Sequence, residues 1–319
     1  MEKINILAFL NLKLFRKKYL LQYLNEYSIQ DYPGLNKNEF KELVNRILVE
    51  SKSINKSNID LNISDFEVFN AFDKAQKIME LSNASDVKII SIFDDIFPNN
   101  LKQIANPPIV LYLKGNIQIF NNKSIAIIGT RKPIEFSRDN ARKATQYFIK
   151  NNFIIVSGLA LGIDSEVHRT CVEQDGKTIA VLPSSLDNIV PRNNIKLAQL
   201  ILEKGGMLLS EYPIHSEPQK FTYIERDRLE SALSSAVIIV ETEKNGGTMH
   251  AARFAIKQNK VIACFKPEDE YPYQNFSGNI EIINSGKSVI INSTEDLENV
   301  ISAVNINPQI DNNFRQLNF

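Results

Sequence analysis

The sequence has no tryptophan and few residues of the types that bind metals or form crosslinks, with two cysteines and three histidines among 319 residues. Cys171 and Cys264 lie far apart and neither belongs to a CxxC pair, which excludes a zinc ribbon and a disulfide-stapled scaffold. We therefore expect a cytoplasmic protein, in a reducing compartment, that needs no structural metal.

Net charge and long apolar runs are also missing. The 37 basic residues balance the 37 acidic ones, so any site for a polyanion must be a local patch. No window of about 18 uninterrupted apolar residues occurs, which predicts no membrane span. The apolar stretch at the N-terminus contains basic residues and lacks a small-residue cleavage site, which argues against a secretory signal.

Hydrophobic patterning divides the chain into three parts. Residues 1–82 place apolar side chains at helical spacing, which predicts a small helical module. Residues 86–305 alternate short apolar runs with amphipathic segments, a pattern typical of strands and helices around a mostly parallel sheet. Residues 306–319 predict a tail outside both domains.

Short apolar runs in the larger part predict strands at 87–91, 109–113, 124–129, 153–157, 178–182, 207–210, 236–241, 261–265 and 288–292. Amphipathic segments between them predict helices at 137–150, 164–175, 193–204, 226–234, 247–258 and 294–303. Several runs are apolar throughout, as expected for strands covered on both faces. The predicted fold class is α/β, with a doubly wound, mostly parallel sheet.

Three loops that follow predicted strands carry residues suited to an anion. In doubly wound sheets, ligands bind beyond the carboxyl ends of the strands, where helix N-termini offer free backbone N–H groups. The loops contain Gly129, Thr130, Arg131 and Lys132; then Ser157, Gly158, Gly162 and Asp164; and last Gly246, Gly247 and Thr248. The first supplies two cations. The second lets backbone approach a ligand and offers Asp164 as a helix cap, and the third is a glycine turn that opens a helix.

Two common nucleotide motifs are absent from these loops. Neither GxGxxG nor GxxxxGK[ST] occurs, which disfavours ordinary NAD and P-loop ATP sites, and we expect no cofactor. By themselves the loops do not decide between a mononucleotide, a dinucleotide and an oligonucleotide.

Taken in order, the segments from about residue 92 to 290 resemble the DNA-processing protein A family, also called Smf. The blocks that carry the resemblance are FDDIFPNNLKQIANPPIVLYLKGN, IAIIGTRKP, VSGLALGIDSEVHR, TIAVLPSSLDNIVPRNN, GGMLLSEYP, FTYIERDRLESALS, NGGTMHAARFAIKQNKVIACFKP and SGN. The resemblance implies an extended Rossmann-like core that binds single-stranded DNA, forms a dimer and, in natural transformation, hands the strand to a RecA-type recombinase. It also implies that the protein is not an enzyme.

The resemblance implies a basic pocket formed by Arg131, Arg226 and Arg228. Phe221 and Tyr223 are expected to offer aromatic faces on which bases stack. The predicted DNA- and anion-binding set is Gly129, Thr130, Arg131, Lys132, Ser157, Gly158, Gly162, Asp164, Arg192, Phe221, Arg226, Arg228, Gly246, Gly247 and Thr248.

Three residues depart from the family pattern in and beside this pocket. Leu161 stands where the family has a basic residue, Asp227 replaces the asparagine of its RNR motif, and Glu230 lies where its pattern is apolar. These departures leave open a module of the same superfamily that binds a nucleotide-derived ligand or a protein, for example a neighbouring gene product in a defence or toxin-neutralising system.

A phosphoribohydrolase-like enzyme is the remaining alternative. The hallmark of such enzymes is P-G-G-x-G-T-x-x-E, and the segment from Asn245 to Ala252 keeps the glycine pair and the threonine but lacks the carboxylate. Hydrolysis is therefore disfavoured.

Some residues outside the three loops also have side chains that can carry chemistry, namely the histidines, the cysteines and Glu211. His168 lies four residues after Asp164, and we expect it to pack a helix because no third metal ligand accompanies the pair. Both cysteines are expected in the core. Glu211 either orients a residue of a neighbouring loop or accepts a hydrogen bond from a ligand hydroxyl.

Overall fold

A computed structural model describes residues 3–12, 17–32, 34–53, 63–268 and 270–306. The chain divides into two compact units, the first formed by residues 1–97 and 105–112 and the second by 98–104 and 113–319. This division assigns residues 86–97 and 105–112, which the sequence pattern places in the α/β part, to the first unit. The predicted tail beyond residue 306 lies outside the described residues.

The first unit is mainly helical. Its elements are α1 (Lys3–Leu12), α2 (Lys17–Glu26), α3 (Lys37–Ser53), α4 (Asp65–Ala84), β1 (Lys88–Ser91) and the start of β2 (Val110–Gly115). A capping box begins α4, because Ser64 and Glu67 bond each other's backbone N–H groups. In the core, Phe40 packs edge-on against Phe9, with ring centroids 5.0 Å apart.

The second unit contains the strands β3 (Ser124–Ile128), β4 (Ile154–Ser157), β5 (Thr178–Leu182), β6 (Met207–Ser210), β7 (Ala236–Ile239), β8 (Val261–Phe265) and β9 (Val289–Ile291). Its helices are α5 (Asn99–Lys102), α6 (Glu135–Lys150), α7 (Ile163–Glu173), α8 (Ile195–Glu203), α9 (Lys220–Leu233), α10 (Thr248–Lys257), α11 (Ser277–Asn284) and α12 (Leu297–Ile306). None of the helices in the described ranges is long and apolar enough to span a bilayer.

The seven strands lie in the order β6-β5-β4-β3-β7-β8-β9, and each neighbouring pair is parallel. The chain moves outward from β3 to β6 and then returns to place β7 on the other side of β3. The switch point therefore lies between β3 and β7, where ligands bind in sheets of this kind. This arrangement confirms the predicted α/β class with a doubly wound, mostly parallel sheet.

The strands are mainly apolar, as expected where helices cover both faces of a sheet. Ile125 and Ile127 of β3 and Ile238 of β7 are fully buried, and Phe148 of α6 and Val167 of α7 pack in the same core. This core holds the carboxyl ends of β3, β4 and β7 in a common row, which positions the loops that follow them.

Every predicted strand is present, whereas the helix predictions contain errors. Helix α9 begins at Lys220 and not at residue 226, and the Thr222 hydroxyl caps it by accepting from the Gln219 N–H at 3.1 Å. The short helices α5 and α11 were not predicted. Helix α12 begins at Leu297, because Thr294–Asp296 form a 3-10 turn.

Candidate functional site

The loop after β3 is held from both sides by neighbouring loops. The backbone N–H of Thr130 donates to the carbonyl of Glu241 after β7 at 2.8 Å, and the Thr130 carbonyl accepts from Ile163 after β4 at 3.2 Å. Arg131 and Lys132 follow immediately and are exposed. The backbone is thus fixed while two cationic side chains project from the switch point.

Arg131 lies beside an aromatic residue of α9. Its guanidinium carbon is 5.4 Å from the centroid of the Tyr223 ring, within the range of a cation–π contact. Phe221, two residues earlier, has 55% of its surface exposed. Of the predicted residues, the structure therefore brings together Arg131 and Tyr223, with Phe221 in the same first turn of α9.

The glycines of the loop after β4 permit close packing. Gly162 has a φ of 84°, and a Cβ there would lie 2.3 Å from the Thr130 carbonyl oxygen. A Cβ on Gly158 would lie 1.2 Å from Nη1 of Arg226. The side chain of Leu161 is 43% exposed. Because Gly162 packs against Thr130 and Arg131, the loop that carries Leu161 lies beside the segment that carries Arg131.

Arg226 is enclosed by three carboxylates, and it is only 7% exposed. Its Nη1 lies 2.8 Å from Oε1 of Glu230 and 3.7 Å from Oδ2 of Asp164, and its Nε lies 3.1 Å from Oδ1 of Asp227. All three acids are buried as well. We call this group of four side chains the Arg226 cage.

Asp164 does not cap α7 as expected. Gly162 occupies the N-cap position, and Asp164 lies within the first turn, where Oδ2 accepts from the Ala160 N–H at 3.3 Å and faces Arg226. Ser157, predicted in the same loop, is fully buried and donates its hydroxyl to the Ile127 carbonyl at 2.8 Å. Both residues stabilise the loop from inside.

Arg228 points to a different strand end. Its Nη2 lies 2.5 Å from Oε2 of Glu211, directly after β6, and its Nε lies 2.9 Å from Oε2 of Glu225. Glu211 was predicted to orient a loop residue or to accept from a ligand hydroxyl, whereas the structure shows it paired with Arg228 of helix α9. Arg228 is only 4% exposed.

The three predicted arginines therefore do not converge as open phosphate contacts. Because α9 begins six residues earlier than predicted, Arg226 lies in its second turn and Arg228 in its third, both inside the protein. Their two-residue spacing points them in different directions. Arg131 alone of the three is exposed. Direct phosphate contacts by the other two stay a prediction.

The exposed Arg192 lies in a 3-10 turn that is tied to the loop after β4. The Asn194 amide donates to the Leu159 carbonyl at 2.8 Å and to the Ser165 hydroxyl at 2.8 Å. These bonds place the turn that carries Arg192 beside the loop that carries Leu161.

The third predicted loop opens α10 on the other side of the switch point. Thr248 is the first residue of the helix and Gly247 occupies the N-cap position. No atom lies within 4 Å of a Cβ built on Gly247, so this turn is open to its surroundings, whereas a Cβ on Gly246 would lie 2.6 Å from Oγ1 of Thr242.

Two residues that the site prediction missed fix the loop after β7. The buried Asn279 accepts from the Thr242 N–H at 2.8 Å and donates to the carbonyls of Val240 at 3.0 Å and Phe265 at 2.9 Å. Glu241, 2% exposed, accepts from the Ile134 N–H at 3.1 Å, at the beginning of α6. The SGN block signalled Asn279, whereas no motif signalled Glu241.

Glu241 fills a position with the chemistry of an anion site. Burial raises the pKa of its carboxyl group, and the hydrogen bond from the Ile134 N–H opposes that rise. Because a helix N-terminus favours negative charge, the carboxylate takes the place that a nucleotide phosphate commonly occupies in doubly wound sheets.

His168 and both cysteines are in the core, as predicted. His168 is fully buried, its Nδ1 lies 2.9 Å from the Thr178 hydroxyl, and burial lowers its pKa to about 3, which keeps the ring neutral. Cys171 and Cys264 are buried free thiols.

Comparison with known proteins identifies the family to which this chain belongs. Residues 88–302 match the family model of DNA recombination-mediator protein A. The chain belongs to this family. The predicted resemblance is thereby confirmed.

Two relatives are identical to this chain at about a third of the aligned positions. The Bacillus subtilis DNA processing protein DprA is 31% identical over 232 residues, which cover 72% of this chain and 77% of that protein. Protein Smf of Synechocystis sp. is 34% identical over 206 residues, covering 63% of this chain and 51% of Smf. The chain thus spans about half of Smf and more of DprA.

Solved structures of the family show the same fold. DNA processing protein A from Streptococcus pneumoniae superposes with a TM-score of 0.72 at 23% identity, covering 92% of this chain and 96% of that one. DNA processing protein A from Helicobacter pylori, described for its unique single-stranded DNA binding mode, superposes with a TM-score of 0.60 at 30% identity. The superposition covers 68% of this chain and 96% of that one.

Proposed function

We propose that this protein binds single-stranded DNA at the carboxyl ends of β3 and β4 and acts in DNA processing without catalysing a reaction. The observation that carries the proposal is the exposed Arg131 against the Tyr223 ring, beside the switch point. Membership of the DNA recombination-mediator protein A family and the likeness to the single-strand-binding protein from Helicobacter pylori support it.

The chemistry of this surface suits a single strand. Arg131, Lys132 and Arg192 are exposed cations that can each pair with a phosphate of a flexible backbone. Phe221 and Tyr223 offer ring faces, and stacking contributes about 1–3 kcal/mol per base in single-strand sites without requiring one sequence. A strand whose bases are unpaired can use both kinds of contact, whereas a duplex hides its base faces.

Within the proposed site, the remaining predicted residues have supporting roles. Gly129, Gly158 and Gly162 allow the loops to pack closely. The buried ion pairs of Arg226 and Arg228 hold α9, whose first turn carries Phe221 and Tyr223. Thr130, Ser157 and Asp164 hold the loop backbones. Across the switch point, Gly246 closes the turn with its own N–H bonded to the Glu243 carbonyl, while Gly247 and Thr248 begin α10 and offer backbone N–H groups to a further phosphate.

The binding experiment measures the salt dependence of affinity for a labelled oligothymidine by fluorescence anisotropy. With three phosphate contacts and a contribution of roughly −0.7 per contact, the slope of log K against log salt is expected near −2. A salt-independent affinity, or tighter binding to a duplex of the same length, would contradict the proposal.

The alternatives receive less support from the site. Glu241 already fills the N-terminus of α6, which disfavours a mononucleotide phosphate at that place. No carboxylate stands at the position in α10 that the phosphoribohydrolase motif requires, and this supports binding without catalysis. A partner encoded nearby, and a cytoplasmic location, stay predictions.

We further propose that the protein forms a homodimer and passes its strand to a RecA-type recombinase. Two-fold dimers are the commonest assemblies of soluble proteins, and the family resemblance implies both properties. Light scattering at tens of micromolar is expected to give twice the monomer mass. A monomeric mass over that range would contradict the dimer.

A further inference from the structure

The Arg226 cage has an excess of acid. One guanidinium is enclosed by the carboxyl groups of Asp164, Asp227 and Glu230, with separations of 2.8–3.7 Å. The side chains of Arg226, Asp164 and Glu230 are more than nine-tenths buried, and that of Asp227 is 12% exposed. Three ionised carboxylates around one arginine would leave two uncompensated negative charges inside the protein, which is energetically costly. The cage therefore favours retention of protons by its carboxyl groups.

The groups around the cage come from three elements. Helix α7 contributes Asp164 and His168, and α9 contributes Tyr223 together with Asp227 and Glu230. The loop after β3 contributes Arg131, an exposed cation whose charge opposes the rise that burial causes in the pKa of Asp227. His168 is neutral because burial lowers its pKa to about 3, so it does not titrate together with the carboxyl groups.

Burial dominates the behaviour of all three acids. It raises the pKa of Asp164 and of Glu230, although the charge of Arg226 opposes the rise. It raises the pKa of Asp227 to about 6, against the opposing charges of Arg226 and Arg131. Because these folded-state pKa values lie above the unfolded ones, the folded protein binds more protons. Stability contributed by the cage is thus present at low pH and is lost as the pH rises through the folded pKa.

We propose that Asp227 makes the binding of a polyanion at Arg131 proton-linked, so that the cage takes up a proton when a phosphate binds. This inference rests on the proposed function. Oδ1 of Asp227 lies 3.1 Å from Nε of the buried Arg226, and the charge of the exposed Arg131 also acts on this carboxyl group. A phosphate at Arg131 adds negative charge on the outer side. The ionised form of Asp227 is then disfavoured, and protonation follows.

The direction of the effect follows from linkage. A site that gains a proton on binding becomes tighter as the pH falls, by at most tenfold per pH unit for one proton. Affinity of this protein for a single strand is therefore expected to rise several-fold between about pH 7.5 and about pH 6. Asp227 thereby sets both the strength and the pH response of the site.

Titration calorimetry on the full chain tests the inference directly. Oligothymidine is titrated at about pH 6.5 in Pipes and in imidazole, whose ionisation enthalpies differ, and the difference in heat gives the number of protons taken up. Uptake of a substantial fraction of one proton is expected for the natural protein. Zero uptake overturns the inference without using any variant.

The variant Asp227→Asn identifies the source of the proton. It is expected to bind oligothymidine several-fold more tightly than the natural protein at about pH 7.5 and to lose most of the proton uptake. Proton uptake by any other group persists in the variant and is thereby distinguished from uptake by Asp227. Equal uptake by variant and natural protein overturns the assignment to Asp227.

Asp175→Asn provides a control with the same change of charge. Asp175 is exposed, pairs with Lys204 at 2.7 Å, and lies between α7 and β5, at the opposite edge of the sheet. Its substitution is expected to leave both affinity and proton uptake unchanged. If neither the natural protein nor Asp227→Asn binds oligothymidine at any pH, the proposed function fails and the inference falls with it. Binding that is independent of pH in both proteins overturns the inference alone.

Discussion

Replacing Arg131 by alanine is expected to weaken the binding of single-stranded DNA by about ten- to a hundredfold. Arg131 is the exposed arginine at the switch point, and a hydrogen bond to a charged group contributes about 1.5–3 kcal/mol. The loss of one phosphate contact should also reduce the salt slope by roughly 0.7. Both quantities can be measured by anisotropy with labelled oligothymidine.

Two further variants control this result. Lys150→Ala removes a cation from the last turn of α6, at the opposite edge of the sheet, and should leave affinity unchanged. Leu161→Arg adds a cation beside the Arg131 loop and should tighten binding several-fold, typically by about 1 kcal/mol. Unchanged dissociation constants for both Arg131→Ala and Leu161→Arg would show that single-stranded DNA does not use this surface.

Replacing Gly158 by alanine is expected to destabilise the protein severely. The new methyl group would lie 1.2 Å from Nη1 of Arg226 and 2.3 Å from Oε1 of Glu230. The guanidinium has no room to move because the cage encloses it, so the substitution must break buried ion pairs at a cost of roughly 3–5 kcal/mol. A fall in melting temperature of roughly 10 °C follows for a unit of this size, measurable by circular dichroism or calorimetry.

Gly247→Ala provides the matched control for this substitution. Gly247 has helical backbone angles, and no atom lies within 4 Å of the position of the added methyl group. Alanine there should leave the melting temperature unchanged or raise it slightly, by an amount equivalent to about 0.4–1 kcal/mol. Equal melting temperatures for natural protein and Gly158→Ala would show that Arg226 is not confined by the cage.

The order of strands and helices in the second unit could be predicted from local patterns. Residues 125–128 and 236–240 are apolar throughout, and a short run of this composition is typical of strands covered on both faces. The beginning of α9 could not be predicted in this way. Residues 221–224 carry aromatic and β-branched side chains that favour no helix, yet the helix begins at Lys220 and the Thr222 hydroxyl caps it.

The loops of the candidate site could be predicted from the sequence, but which of its charged side chains are exposed could not. Arg131 and the glycines of these loops each come directly after a strand. Because the carboxyl ends of parallel strands lie at the same end of the sheet, the sequence predicts that these residues are close together. Arg226 and Arg228 look like equivalent cations in the sequence. Their burial depends on the direction of α9 and on acids from α7 and from the end of β6, which are distant in the chain.

The sequence by itself determined the fold class, the family and the position of the exposed Arg131, because hydrophobic periodicity and ordered motifs are local properties of the chain. The tertiary structure decided which charged residues face outward. The Arg226 cage exists because Gly158 leaves space for a guanidinium and because α7 and α9 bring Asp164, Asp227 and Glu230 around it. The energy of a charge depends on its surroundings in three dimensions, so a residue that looks like a phosphate contact in the sequence can be an internal ion pair in the folded protein.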